Sequence, residues 1–355
     1  MNRVHSIDYL RGVLALLIMF YHYSSWHHLF TFDSASFLTR NAFYGVSLFF
    51  VISGFSLTIG YMKKFENITK DNMLNFFIRR FGRIYPLFLL IVITYILLLS
   101  ISGKSMPNFL EIITNLTISF SFFPNYYALT TGGWSIGIEI VFYIFFPFII
   151  WFLQKTNLYG LLFSILSIII SIYISSYLLY DISDSKDYWT KYLSLINHTY
   201  FFIFGILVAY LYIQKNNFFI QPNLYIITTF LFTLFLFIFY PIEGEVINLL
   251  LKENRVILTL LVFIIFILVV IYNNSLNHNS KIFKTFNFFG EISYTIYLIH
   301  PIIHRFINRI FVIDNILKLI IAMFITIVVS KIIYNFYEMK IQTKIILWSK
   351  KYVSK

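Results

Sequence analysis

Long apolar runs alternate with short polar interruptions along this chain. The runs lie at roughly 6–24, 43–62, 82–102, 134–153, 158–180, 197–213, 222–241, 255–273, 288–308 and 315–336. Most come close to the ~20 residues a helix needs to cross ~30 Å of hydrocarbon. Inside a bilayer a helix pairs its own backbone groups, which an open segment cannot do. The pattern therefore predicts an all-α, polytopic integral membrane helical bundle with about ten transmembrane helices. The stretch 108–123 is also apolar, but it is short and followed by Pro124, which predicts an interfacial or re-entrant segment. No internal repeat and no linker long enough for a soluble domain is visible. A single membrane domain over residues 1–340 is expected, followed by a basic cytoplasmic tail over 341–355. Met1 to Arg11 does not read as a cleavable signal peptide, because Asp8 and Arg11 interrupt it and no small-residue cleavage site follows. It is expected to be the retained start of the first span.

Composition sharpens this picture. Of 355 residues, 59% are apolar and only 12% are charged, too few to clothe a soluble domain of this size. There is no cysteine, which excludes disulfides, thiolate metal sites and a cysteine acyl-enzyme. The formal charge of +12 sorts along the predicted topology. With the N-terminus inside, sixteen of the 27 basic residues fall in inner segments, among them Arg3, Lys215, Lys355 and the Arg79-Arg80-Arg83 cluster. Nine fall outside, among them Arg40, Lys186, Lys252 and Arg255, and Arg11 and Lys331 lie within spans. Outer segments also carry acids such as Asp181, Asp184 and Asp187. The positive-inside rule thus predicts cytoplasmic N- and C-termini in the inner (cytoplasmic) cell membrane. Topology and contact with anionic membrane lipid account for the charge, and no nucleic-acid partner is expected.

Ionisable groups inside spans are expensive, so each invites a functional reading. Arg11 and His22 are eleven residues apart, about three turns plus ~20°, and so share one helical face ~16 Å apart. They form either a polar seam through the bundle or a snorkelling arginine with an interfacial histidine. Arg80 and Arg83, three apart, share a face at the inner mouth of the third span. Their planar forked donors suit phosphate, although a plain positive-inside signal has the same appearance. Glu139, in Trp134-Ser135-Ile136-Gly137-Ile138-Glu139, enters the fourth span from outside at a depth near that of His22. A carboxylate there either orients an imidazole or serves packing. His300 and His304 are i, i+4, but no glutamate follows the first and no third ligand is evident, so no metal is expected and His300 reads as a polar pocket residue. Glu338 closes the last span, where it can neutralise Arg80 or Arg83. Ser53-Gly54 reads as a close helix contact.

Taken in order, these motifs resemble the acyltransferase-3 family of membrane-bound, acyl-CoA-dependent acyltransferases. The first-helix element is Ile7-Asp8-Tyr9-Leu10-Arg11-Gly12 with His22, ten residues separating Arg11 from His22. Gly45-Val46-Ser47-Leu48-Phe49-Phe50-Val51-Ile52-Ser53-Gly54-Phe55 is similar to the second-helix signature, with Ser47 where many members have aspartate. Arg80-Phe81-Gly82-Arg83-Ile84-Tyr85-Pro86 resembles the basic motif, and Trp134 to Glu139 with Phe142-Tyr143 and Pro147 the tryptophan–serine–glutamate element. Ile292-Ser293-Tyr294 through Tyr297-Leu298-Ile299-His300 resembles the late helix and Tyr337-Glu338 the end, with Lys340 where a proline often stands.

The resemblance implies acetyl-CoA, or a short-chain homologue, as co-substrate, with no tightly bound cofactor. It implies a hydroxyl of a cell-surface glycan or lipid-linked sugar as acceptor. Arg80 and Arg83 then hold the phosphates of acetyl-CoA, and Arg11, deeper on the same side, joins the expected catalytic residues. His22 is the expected general base, oriented by Glu139. Trp134, Ser135, Tyr294 and His300 line the expected substrate pocket. Direct transfer to the acceptor or to a separate partner is expected, since no hydrolase-like domain follows the last span. The rival reading is a proton-coupled transporter or flippase using the Arg–His–Glu seam.

Overall fold

The computed structural model describes residues 4–30, 33–123, 127–178, 191–214, 224–273, 276, 278–310 and 313–353. Arg3, Pro124, Asp181, Asp184, Lys186, Asp187, Lys215 and Lys355, used above, lie outside the described residues. Among the described residues the chain's regular elements are all helical. Its α-helices are α1 (His5–Trp26), α2 (Phe37–Tyr61), α3 (Lys70–Ile101), α4 (Phe109–Leu116), α5 (Gly133–Thr156), α6 (Leu158–Leu178), α7 (Ile196–Gln214), α8 (Leu224–Phe239), α9 (Lys252–Tyr272), α10 (Lys281–Ile310), α11 (Asn315–Ile333) and α12 (Met339–Val353). A π-helical turn, Tyr334–Glu338, joins α11 to α12.

Seven helical segments among the described residues are long and apolar enough to cross a membrane: Phe37–Phe65, Lys70–Ile101, Gly133–Thr156, Leu158–Tyr177, Ile196–Gln214, Lys252–Tyr272 and Asn315–Ser349. The chain thus reads as a multi-pass membrane protein. Three predicted spans are not among the seven. Helix α8 is apolar but has only 16 residues. Helices α1 and α10 are long enough, but they carry most of the polar candidates, and those residues lower their apolar character. The stretch 108–123 folds as the 8-residue α4 and a 3₁₀ turn, Ser119–Phe122, in keeping with the short segment expected there. Helix α4 begins at a capping box, with the Asn108 side chain on the Glu111 amide and the Glu111 carboxylate on the Asn108 amide.

The chain folds as two compact units: Met1–Met62 with Leu153–Ser293, and Lys63–Phe152 with Tyr294–Lys355. In the first unit α2 lies along α7, and α1, α6 and α9 pack around them. Gly54 and Gly205 make the α2–α7 contact possible. A β-carbon on Gly54 would stand 2.2 Å from the Phe202 carbonyl oxygen, and one on Gly205 2.0 Å from that of Val51. This is the close helix contact read from Ser53-Gly54, with backbone against backbone. Gly54→Ala is expected to destabilise the protein by about 1–3 kcal/mol through overpacking, read as a lowered melting temperature in detergent. An unchanged melting temperature would contradict this contact.

The N-terminal half of α1 is held in the same way. Gly12 faces Gly290, where a β-carbon would meet the backbone nitrogen at 2.7 Å. The Ser6 amide donates to Asn273 Oδ1 at 3.1 Å, and the Tyr9 hydroxyl lies 2.8 Å from His278 Nδ1. In the second unit α12 packs on α3, and α4 rests on α3 as well.

Candidate active site

Within the second unit, residues far apart in sequence converge on Tyr143 and Tyr294. Glu139 is half-buried on α5, and Tyr143, one turn further along, is buried and donates to Glu139 Oε1 at 2.7 Å. The charges of Glu139, Arg80 and Arg83 all act on the Tyr143 hydroxyl. Those of Glu338, Glu139 and Arg83 act on Tyr294. The Tyr294 hydroxyl is itself anchored, donating to the Ile84 carbonyl at 2.8 Å, and Tyr337 donates to the Pro86 carbonyl at 3.1 Å. Two phenols from later helices thus bond the backbone of the Arg80–Pro86 motif directly.

The position of the arginines follows from where α3 starts. The apolar run begins near residue 82, but the helix begins at Lys70, so Arg80 and Arg83 stand about three turns inside it. Arg80 is half-buried and Arg83 exposed. Glu139 was expected at the far side of the bilayer from this pair. The charges of all three act on one hydroxyl, that of Tyr143.

Glu338 is buried at the end of the π turn. It accepts from Thr295 Oγ1 at 2.8 Å and Gln342 Nε2 at 3.0 Å, and the charge of Arg83 acts on it. A π turn places an extra residue in a helix and often marks a functional position.

The remaining pocket candidates form a smaller network. Ser135 Oγ donates to the Gly132 carbonyl at 2.8 Å and lies 2.9 Å from the Tyr297 hydroxyl, which also reaches Gly132 O at 3.3 Å. Trp134 is half-buried beside it. His300 is 1% exposed, with Nδ1 3.1 Å from the Ile296 carbonyl. A carbonyl only accepts, so Nδ1 carries the proton and Nε2 is the basic nitrogen of the neutral ring. His304 Nε2 lies 3.0 Å from Asn308 Nδ2. Among the described residues no group of three metal-ligating side chains converges.

Arg11 and His22 belong to the first unit, on the unbroken helix α1, so the shared face predicted from their spacing is realised. Arg11 Nη1 lies 3.6 Å from Asp8 Oδ1, one turn earlier, with both side chains under one-fifth exposed. The His22 ring stacks on Trp26 at 5.0 Å and meets Tyr21 edge-on at 5.3 Å. It is half-buried.

Sequence reasoning passed over several partners. Tyr143 was quoted only within a motif, although its i+4 spacing from Glu139 signals a helical pair. Tyr297 and Asp8 were likewise within sight but unassigned. Arg40 and Arg255 were counted as outer topogenic charges, yet they are 1% and 2% exposed. Arg255 donates to the Tyr200 hydroxyl and the Asn197 carbonyl, both at 3.0 Å.

A Staphylococcus aureus (strain COL) protein that carries the name of an O-acetyltransferase is 25% identical over 95% of this chain and 57% of its own length. A second, from strain N315, matches to the same extent. The chain therefore spans a little over half the length of these relatives. The peptidoglycan O-acetyltransferase OatA of Listeria monocytogenes is 28% identical over 42% of this chain and 25% of its own. No solved structure matches. The family model for the acyltransferase domain Acyl_transf_3 matches residues 4–335, and the chain belongs to this acyltransferase-3 family.

Proposed function

We propose that the protein is a membrane-bound O-acyltransferase of about ten spans, with cytoplasmic termini. In this reading it moves an acetyl group from cytoplasmic acetyl-CoA to a hydroxyl of a cell-surface polysaccharide or lipid-linked sugar. The observation that carries the reading is the Tyr143–Glu139 hydrogen bond, with the charges of Arg80 and Arg83 acting on the same hydroxyl, within one unit of a family acyltransferase domain. An apolar membrane bundle has no packing reason to gather two guanidiniums, two carboxylates and two phenols.

The reaction needs three things of this chain. Guanidiniums must hold the phosphates of the donor, and Arg83 is exposed to receive them, with Arg80 one turn earlier. A base must take the acceptor proton as the hydroxyl oxygen attacks the thioester carbonyl, and His22 is assigned that role. The C–O bond forms, the C–S bond breaks, and the imidazolium returns the proton to the departing thiolate. The third is a carboxylate, Glu139, whose position is set by the hydrogen bond from Tyr143.

Mass spectrometry of surface glycans from cells with and without the gene tests the proposal. An acetyl increment that requires the gene supports it and identifies the acceptor. Unchanged glycans together with solute flux driven by a pH gradient would transfer support to the transporter reading. For the donor site, Arg80→Ala with Arg83→Ala is expected to raise the KM for acetyl-CoA by roughly 10²-fold or more, from the loss of charge-assisted hydrogen bonds of about 1.5–3 kcal/mol each. An unchanged acetyl-CoA affinity would remove the phosphate role from both arginines.

A further inference from the structure

Helix α12 leaves a groove where it crosses α3. The two helices touch over Gly82, where a β-carbon would stand 2.6 Å from Ile345 Cδ1. Beside that contact lies a cleft of about 450 Å³, walled by Ile78, Phe81, Tyr85 and Pro86 of α3 and by Lys344 and Trp348 of α12. We propose that this groove binds an anionic phospholipid, with Lys344 on the headgroup phosphate and an acyl chain running along α3.

The first argument is helical phase. Ile78, Phe81 and Tyr85, at i, i+3 and i+7, form one face of α3. The midpoint of Arg80 and Arg83 falls about 160° around the same helix at 100° per residue. The groove is therefore on the back of α3, away from the charged cluster around Tyr143, and is not part of the proposed acetyl-CoA site. The inference stands or falls independently of the proposed activity.

The second argument is continuity. Seven and eleven residues beyond Pro86, along the Pro86 edge of the groove, α3 carries Ile93 and Leu97, which are 43% and 56% exposed. An acyl chain leaving the groove past Pro86 meets this apolar track. Such a track is stable only against hydrocarbon.

The third argument is the chemistry of the rim. Lys344 is exposed, as is Lys340 one turn before it. Trp348 and Leu347 project beside them at 51% and 61% exposure. The groove sits where the basic half of α3, Lys70–Arg83, gives way to its apolar half, which marks a membrane boundary by composition. Lysine next to a half-exposed indole at such a boundary matches a negatively charged headgroup above a hydrocarbon chain. A soluble peptide would have no use for the apolar track, and a neutral lipid none for the lysines.

The test is native mass spectrometry of the full chain in detergent, with phosphatidylglycerol and phosphatidylcholine of identical acyl chains. The expected result is one phosphatidylglycerol retained in preference to phosphatidylcholine. Lys344→Ala should weaken phosphatidylglycerol binding about fivefold and leave phosphatidylcholine unchanged, from the contribution of one basic residue at an anionic surface. Ile78→Trp, which fills the groove and keeps the lysine, should displace both lipids. Equal retention of the two lipids by the unaltered protein would overturn the proposal. So would full phosphatidylglycerol binding by Ile78→Trp, whatever the fate of Lys344→Ala, or Lys344-dependent displacement of the lipid by a long-chain acyl-CoA.

Discussion

Replacing His22 by alanine is expected to lower acetyl transfer to the acceptor by about 10²–10⁴-fold, the usual contribution of a positioned general base. A sugar hydroxyl is almost wholly protonated at neutral pH, and imidazole is the side chain whose ordinary pKa suits it to take that proton there. The stacking of His22 on Trp26 limits its ring to few orientations, which is what a base must have before its substrate arrives. The measurement is transfer of labelled acetyl from acetyl-CoA in membranes containing equal amounts of folded wild-type or variant protein. Acetyl-CoA affinity should be determined in parallel on purified protein. The expected outcome is lost transfer with donor affinity retained. Full transfer by His22→Ala would end the assignment. Loss of donor affinity and melting temperature together would make His22 a structural residue of α1.

Much of the architecture was legible because membrane helices announce themselves by apolar length, and the ends of most elements lie near the runs read from sequence. What an apolar run cannot reveal is a helix that continues beyond the hydrocarbon. Helix α3 starts twelve residues before its run, because Lys70 to Phe81 is an amphipathic first half. That difference places Arg80 and Arg83 about three turns inside a helix whose basic first half precedes the apolar run, where their charges act on Tyr143. The same effect extends the last span through the π turn into α12, and so creates the groove on α3.

The candidate residues were visible as polar exceptions to an apolar rule, whereas their partners were visible only where spacing is local. Asp8 with Arg11 and Glu139 with Tyr143 lie three and four apart, and helical geometry alone predicts both pairs. Contacts such as Tyr294 with Ile84, or Thr295 with Glu338, span 210 and 43 residues and leave no such trace. That Arg40 and Arg255 are buried left no trace in the sequence for a related reason. A charge count assumes that each cation faces water, and Arg40 and Arg255 face backbone carbonyls instead.

Arg40→Met is expected to be the most destabilising single change in the first unit. The Arg40 guanidinium is 1% exposed. Its Nε donates to the Ser34 carbonyl at 3.0 Å, Nη1 to Phe237 and Ile238 at 3.0 and 3.1 Å, and Nη2 to Tyr240 at 2.6 Å. The need for these donors comes from the end of α8. Residue 241 is proline, so no amide is available for the Phe237 carbonyl four residues earlier. Arg40 replaces that missing donor and satisfies three neighbours with it. A charged group at a helix C-terminus also opposes the negative end of the helix dipole. Methionine keeps the length of the side chain and loses every donor. Four carbonyls left without partners, at about 1–3 kcal/mol each, come to at least ~4 kcal/mol, a large part of the margin by which proteins are stable. Arg40→Lys should recover only part of the loss, because an ammonium is a point donor and cannot bridge carbonyls on both sides of a planar fork. The check is the melting temperature and folded yield of the three proteins in detergent, with wild type highest, lysine intermediate and methionine lowest. A methionine variant that melts with wild type would mean that water, and not Arg40, satisfies the end of α8.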